Sequence, residues 1–324
     1  MMKLTVAIPS YCRPEELMRV LEALYRQERR ADEVIVVARK DDVQTHEVVN
    51  EFWGNPPPRL QLVDSPGVVR AMNQALDHAT GDLISFIDDD AVPPSDWLKK
   101  VVQIFECEPE LAGLGGRDHV FINGRWLEGK ASVVGIVSWY GRTIGNHHVG
   151  TGPRRNVDSL KGVNMTFRME AVGKLRFDRR LRGSGAQWHC ELMFCLALRA
   201  QGKRLAYDPS IVVDHFPAQR YDEDQRDGFN SLTYENQIHN LTLALLEYLQ
   251  PTGRVLLLAY ALLVGIENGY CGFLKGLLYC PKIGVDRAWQ KTFASARGVR
   301  AAWKTWRSGE GNPASVEAFH GLVG

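Results

Sequence analysis

Three consecutive carboxylates, Asp88, Asp89 and Asp90, stand directly behind the apolar run Leu83, Ile84, Ser85, Phe86 and Ile87. Adjacent acids repel one another, and burying them is tolerable only where a cation or several donors neutralise the charge. Hard divalent cations such as Mg²⁺ and Mn²⁺ take carboxylate and phosphate oxygens, commonly through one or two protein carboxylates plus the phosphates of a substrate. The same residues also read as a solvated acidic turn at the start of the helix that follows, because carboxylates are stabilised at helix N-termini. A further acid, Glu191, falls in the first turn of an apolar helix containing Leu192, Phe194, Cys195, Leu196 and Leu198. A helix that apolar is largely buried, so Glu191 is expected to face a cleft. His215 closes an extended segment and, taken alone, reads equally well as a core or surface histidine.

The elements that must position these groups can be read in order. Residues 4–8 form a strand, and Pro9, Ser10 and Tyr11 the loop at its carboxyl end. Pro14 suits a first helical position, and Leu17, Val20, Leu21 and Leu24 recur with helical period on one face. Strands at 34–37 and 60–63 alternate with helices running from the 38–42 segment through Phe52 and over 68–78, before the strand at 83–87. This alternation predicts a doubly wound, mainly parallel α/β sheet. Ligands of such sheets bind outside the carboxyl ends of the strands, which is where Asp88, Asp89 and Asp90 stand. Beyond them the sequence predicts a helix at 97–107, a strand at 111–114 ending in a Gly115-Gly116 turn, and an irregular stretch over 117–160. That stretch holds Trp139, Tyr140, Arg142, His147 and His148, and its length suits a binding loop. A helix is expected from about Trp188 to Gln201, then extended segments to His215.

Composition excludes several classes. The 324 residues carry 39 basic and 38 acidic side chains, so no global field exists for nucleic acid. The six cysteines form no Cys-x-x-Cys pair, which points to reduced thiols in a cytosolic setting. The N-terminus enters a strand at once and lacks the apolar core of a signal peptide, so export is not expected. No Gly-x-Gly-x-x-Gly or phosphate-binding lysine loop follows the first strand, which argues against a dinucleotide-dependent dehydrogenase.

In register, these pieces resemble the family 2 glycosyltransferases of the GT-A fold over about residues 3–217. The opening strand with Pro9, Ser10, Tyr11, Cys12 and Arg13 is similar to the family's first strand and loop. Asn73 matches its Gly-x-x-x-Ala-x-Asn helix, Asp88-Asp89-Asp90 its Asp-x-Asp motif with Trp97 beyond, and residues 162–168 its Gly-x-Asn-x-x-(aromatic)-Arg segment. Glu191 falls on the second acid of its Glu-Asp pair, and His215 on its terminal His.

The resemblance implies inverting transfer of a sugar from a nucleotide-diphosphate donor to an acceptor hydroxyl. Asp90 and His215 would hold Mg²⁺ or Mn²⁺, with Asp88 near the ribose or the water shell of the metal. Glu191 would be the general base, and Pro9, Tyr11, Arg13, Asn73, Asp88 and Asp89 would line the nucleotide. Two departures stand out. Ala38, Arg39 and Lys40 occupy the place where the family often carries a uracil-reading acid, leaving Asp42 as its substitute, and the Glu-Asp pair is reduced to Cys190-Glu191.

Residues 218–324 lie outside the resemblance and are expected to form a helical region appended to a domain of residues 1–217. The uncharged run 255–266 would span about 18 Å at ~1.5 Å per residue, short of a ~30 Å hydrocarbon core. A helix pair lying on a membrane face is therefore one expectation, and packing on the domain the other. The expected partners are a nucleotide-sugar donor, a carbohydrate or lipid-linked acceptor in polysaccharide or glycolipid assembly, and the cytoplasmic membrane surface. A non-catalytic sugar-nucleotide or membrane-binding module and a nucleotidyltransferase are the alternatives.

Overall fold

A computed structural model describes residues 2–225, 228–265 and 269–309. The first half alternates strand and helix: β1 (Leu4–Pro9), α1 (Pro14–Tyr25), β2 (Glu33–Arg39), α2 (Val43–Glu51), β3 (Arg59–Val63), α3 (Val68–His78) and β4 (Leu83–Ile87). The short β5 (Ala91–Val92) and α4 (Trp97–Cys107) follow, then the long β6 (Leu111–Ile122). Two-residue strands β7 (Arg125–Trp126), β8 (Ile136–Val137), β9 (Thr143–Ile144) and β10 (Arg155–Asn156) punctuate the middle. The sheet is completed by β11 (Asn164–Arg168) and β12 (Arg204–His215), with α5 (Met169–Val172) and α6 (Cys190–Ala200) between them. Four helices close the chain: α7 (Ser231–Tyr248), α8 (Pro251–Leu263), α9 (Phe273–Ile283) and α10 (Val285–Ser308).

The strands lie in the order β10-β12-β6-β11-β4-β1-β2-β3. β3, β2, β1 and β4 are mutually parallel, as the alternation predicts, and β12 is parallel to β6. β11 runs antiparallel between β4 and β6 and makes the sheet mixed. Side chains alternate across a strand. Leu83 and Ile87 of β4 therefore pack with the α1 and α4 side chains Leu17, Leu21, Trp97 and Val101, while Ile84 and Phe86 pack with Met72 and Phe194 on the other face. That second core also takes in Ile238, Leu241, Leu243 and Leu245 of α7, so the C-terminal helices are joined to the sheet through one continuous apolar layer.

Three boundaries differ from the sequence expectation. Gly115 and Gly116 do not turn the chain, because β6 runs straight through them to Ile122. Their role is close approach: a Cβ on Gly116 would lie 1.9 Å from the Ile211 carbonyl oxygen of β12. The two extended segments before His215 form the single irregular strand β12, with register shifts around Asp208. Finally, α6 starts at Cys190 rather than Trp188, because Gln187 and His189 take positive φ values of 40° and 72°.

Candidate active site

The site is built at the carboxyl ends of β1, β4 and β12. β4 ends at Ile87, and Asp88 follows beyond the last strand residue. β5 pairs antiparallel with the end of β12, setting Ala91 opposite His215. That pairing brings the ligand atoms of Asp88, Asp90 and His215 within 4.8 Å of one another, the one such His, Cys, Asp or Glu group among the described residues. His215 Nε2 lies 3.3 Å from Asp90 Oδ1, and its Nδ1 lies 3.6 Å from Asp118 Oδ2. Asp118, on β6, also pairs with Lys161. The other Asp90 oxygen accepts the Ala218 backbone N–H at 2.9 Å.

The electrostatics follow from this crowding. Burial, with Asp90 beside it, pushes Asp88 up to about 6. Burial would raise Asp90 as well, but His215, Arg13 and the Ala218 N–H outweigh it and hold Asp90 at about 2. Burial alone would lower His215, yet Asp118 and Asp90 raise it to about 9. The cluster thus draws in positive charge, here the imidazolium proton and the Arg13 guanidinium. A divalent cation fits the same demand: buried Asp90 Oδ1, on the Nε2 side of His215, lacks a hydrogen-bond partner. Carboxylate and imidazole together suit Mg²⁺ or Mn²⁺.

Asp89 faces the first loop instead. Its Oδ2 accepts the Ser10 hydroxyl at 2.8 Å and its Oδ1 accepts Arg13 at 2.7 Å. Arg13 also lies 3.6 Å from Asp90 and donates through Nε to the Gln219 carbonyl at 2.9 Å. Along the cleft, the Arg39 guanidinium sits 3.6 Å from the centre of the Tyr11 ring, donates to the Ser184 carbonyl at 3.1 Å and pairs with Asp222. The segment from Pro217 to Asp222 therefore crosses the strand ends, anchored at Asp90, Arg13 and Arg39. Cation–π contact and an ion pair on one guanidinium fix the plane of Tyr11, leaving its remaining surface to the cleft.

Glu191 is set by the turn before α6. The Gln187 side chain accepts the Val69 N–H at 3.0 Å and donates to the Leu181 carbonyl at 2.9 Å, pinning the loop that leads into the helix. In the first turn of α6, Glu191 Oε1 accepts the Gly162 N–H at 3.3 Å and its Oε2 accepts the Cys190 thiol at 3.4 Å. Burial, reinforced by Glu191, keeps that thiol protonated. A Cβ on Gly162 would press to 2.9 Å from Glu191 Oε1, so the glycine is what lets the carboxylate sit there. Glu191 is close enough to Asp88 for its charge to raise that acid further.

Pro9, Tyr11, Arg13, Asp88, Asp89, Asp90, Glu191 and His215 all line one cleft of about 1530 Å³. Two expected nucleotide residues do not. Asp42 is buried as the N-cap of α2, with Oδ1 accepting the Thr45 N–H at 3.2 Å and Oδ2 the Cys12 N–H at 2.7 Å. Asn73 is spent on backbone: its amide donates to the Phe177 carbonyl at 2.9 Å and its oxygen accepts the Phe177 N–H at 2.8 Å. Both tie loops together, and neither lines the cleft. His147 is also structural, its Nε2 lying 3.0 Å from the Ser159 carbonyl. Sequence reasoning missed Arg39, Asp118, Lys161 and Asp222. Arg39 and Lys161 each adjoin a motif that was read, and that adjacency was the only available signal. Asp118 was hidden because β6 runs past the Gly115-Gly116 turn at which the strand is expected to end, into the stretch expected to be irregular.

A family model described as "Glycosyltransferase like family 2" matches residues 2–227. The glucosyl-dolichyl phosphate glucuronosyltransferase of Haloferax volcanii is 22% identical over 222 residues, 66% of this chain and 69% of that protein. Further curated relatives are matched over 45% of their own length or less. Among solved structures, S. aureus TarS in complex with UDP-GlcNAc superposes with a TM-score of 0.59 at 15% identity, covering 95% of this chain and 83% of that one. The Pyrobaculum calidifontis mannosyltransferase PcManGT, in complex with GDP-Man and Mn²⁺, gives 0.53 at 18% identity, covering 95% and 88%. These likenesses establish the GT-A fold.

Proposed function

Since the chain belongs to glycosyltransferase family 2, we propose that it moves a sugar, with inversion, from a nucleotide-diphosphate donor to a carbohydrate or lipid-linked acceptor hydroxyl at a membrane surface. The convergence of Asp88, Asp90 and His215 with Glu191 in one cleft carries this reading. Asp90 and His215, with Asp88 beside them, would hold Mg²⁺ or Mn²⁺, which supplies Lewis-acid stabilisation of the charge on the departing diphosphate. Arg13 keeps the Asp89-Asp90 turn neutralised and in place. Tyr11, its ring plane fixed by Arg39, offers a face for the nucleotide base.

Glu191 takes the proton of the acceptor hydroxyl. The acceptor oxygen bonds to the anomeric carbon from the face opposite the leaving group as the bond to the diphosphate oxygen breaks. The hydrogen bond from Gly162 steers one carboxylate oxygen and leaves lone pairs for that proton. Asp118, held by Lys161, orients the His215 ring from behind. With Ala38 and Arg39 in place of an acid, and Asp42 spent on the α2 cap, the end of β2 offers the base the Arg39 guanidinium and its partner Asp222.

Calorimetric titration with a panel of nucleotide diphosphates and their sugars, with Mn²⁺ and with chelator, tests the donor half. Metal-dependent binding of one nucleotide is expected. No binding by folded protein overturns the reading. A protein that binds donor, never turns it over, and binds it equally well as Glu191→Gln is a sugar-nucleotide-binding module instead.

A further inference from the structure

The turn that leads into α6 holds an indole in the open. Trp188 is 43% exposed and lines the same cleft as Glu191. Both its neighbours are strained: Gln187 and His189 take φ values of 40° and 72°, a region that residues other than glycine rarely adopt. His189 Nε2 is moreover buried without a hydrogen-bond partner among the described residues. Backbone strain and an orphaned polar atom persist only where the surroundings over-determine them, and they concentrate at functional sites. A turn serving the fold alone would bury the large side chain it carries, whereas this one leaves it in ligand space.

The surroundings are rigid. The Gln187 side chain is pinned by Val69 and Leu181, and its backbone carbonyl accepts the Cys190 N–H at 3.2 Å. The Asp224 carboxylate closes the turn from the other side: its Oδ2 accepts the Ala186 N–H at 3.2 Å and the Arg220 guanidinium at 2.7 Å. It packs so tightly that a Cβ on Gly185 would lie 1.9 Å from its Oδ1. Arg220, so fixed, stands over the Trp188 ring with its guanidinium carbon 5.4 Å from the ring centre. A cation held on one face leaves the rest of the ring to the cleft. The indole is thus preorganised, and a ligand need not order it on binding.

Its position selects the ligand. Trp188 precedes Glu191 by three residues, a stretch of chain that spans at most about 11 Å. The surface offered to the nucleotide base is Tyr11, on the loop after β1, so the indole is left to the acceptor. The negative face of an aromatic ring attracts weakly positive C–H groups, and a pyranose presents such a face while its hydroxyls project from the rim. We propose that Trp188 is the acceptor platform: a pyranose of the acceptor lies with its C–H face on the indole and turns a rim hydroxyl toward Glu191. The reacting hydroxyl then belongs to a sugar ring rather than to a bare lipid alcohol or a protein side chain, an assignment that rests on the sugar-transfer reading. Trp188 also sets which hydroxyl reaches Glu191, because the seat of the ring fixes which edge faces the carboxylate.

Saturation-transfer NMR on the full chain tests this, with Mn²⁺ and UDP or GDP present and methyl glucopyranoside, galactopyranoside and mannopyranoside as probes. Saturation is expected on the ring C–H protons of one face of at least one probe. Trp188→Leu keeps apolar bulk but removes the aromatic face. It is expected to weaken that binding about tenfold, and Trp188→Tyr to restore most of it. A circular dichroism melt establishes that each variant is folded, and the Mn²⁺-dependent donor titration is expected to be unchanged in both. Three results overturn the platform: no saturation of any probe by folded protein, saturation equal in Trp188→Leu and the parent, or loss of donor affinity in Trp188→Leu, which would give the indole to the nucleotide. The donor titration also keeps the two readings apart. Pyranoside binding without donor binding keeps the platform and removes the transfer reading, and donor binding without pyranoside binding does the reverse.

Discussion

Replacing Glu191 by Gln removes the proton acceptor but keeps an oxygen for the Gly162 N–H. Transfer is expected to fall by about 10² to 10⁴ in kcat with donor affinity unchanged, and full transfer by the folded variant would refute the assignment. Asp118 acts one step further out. It touches His215, not the nucleotide, so Asp118→Asn is expected to lower Mn²⁺ affinity by about 10- to 100-fold, read by electron paramagnetic resonance titration without turnover. A merely structural role for Asp118 would shift the melting temperature and leave that affinity alone.

At the level of elements, the sheet depends on contacts without side chains. Gly116→Ala would push a methyl group into the Ile211 carbonyl, and neither strand can yield without breaking the β6–β12 ladder. A loss of roughly 3 kcal/mol or more in urea unfolding is expected. The α7–α10 joint predicts a pH effect. His239 is fully buried, with ring nitrogens 2.9 Å from Asn240 Oδ1 and 3.1 Å from Thr305 Oγ1, and burial pushes it down to about 4. The unfolded chain binds this proton near pH 6.5 and the folded one does not, so stability is full above that pH and falls as pH drops toward 4. The loss is roughly 3 kcal/mol across that window, and unfolding of His239→Gln compared at pH 7 and pH 5 should show it removed.

Across the whole molecule, the family match ends at residue 227, but the apolar core does not. Ile238, Leu241, Leu243 and Leu245 of α7 complete the layer that Met72, Phe194 and Leu198 begin. Removing residues 228–324 would expose that layer to water, at about 25 cal/mol per Å² of apolar surface. The truncated chain is expected to lose its cooperative thermal transition by circular dichroism. A sharp transition retained in the truncated chain would show the sheet and its helices to be self-sufficient.

The sequence by itself determined whatever depends on local order. Alternating apolar runs and helical periods placed β1 to β4 and α1 to α4 nearly to the residue, because strand and helix formation there follow from neighbours along the chain. The family resemblance, rather than local order, singled out Asp88, Asp89, Asp90, Glu191 and His215, which line one cleft. Tertiary structure decided the rest. Whether an acid faces ligand or frame depends on partners far away in sequence: Asp42 and Asn73 match the expected residue types yet are spent on Cys12 and Phe177, while Asp118 joins His215 across two adjacent strands. Gly115 and Gly116 read as a turn because a glycine that permits a turn and a glycine that permits close packing are the same letter. Only the neighbouring strand, 1.9 Å from an added Cβ, tells them apart.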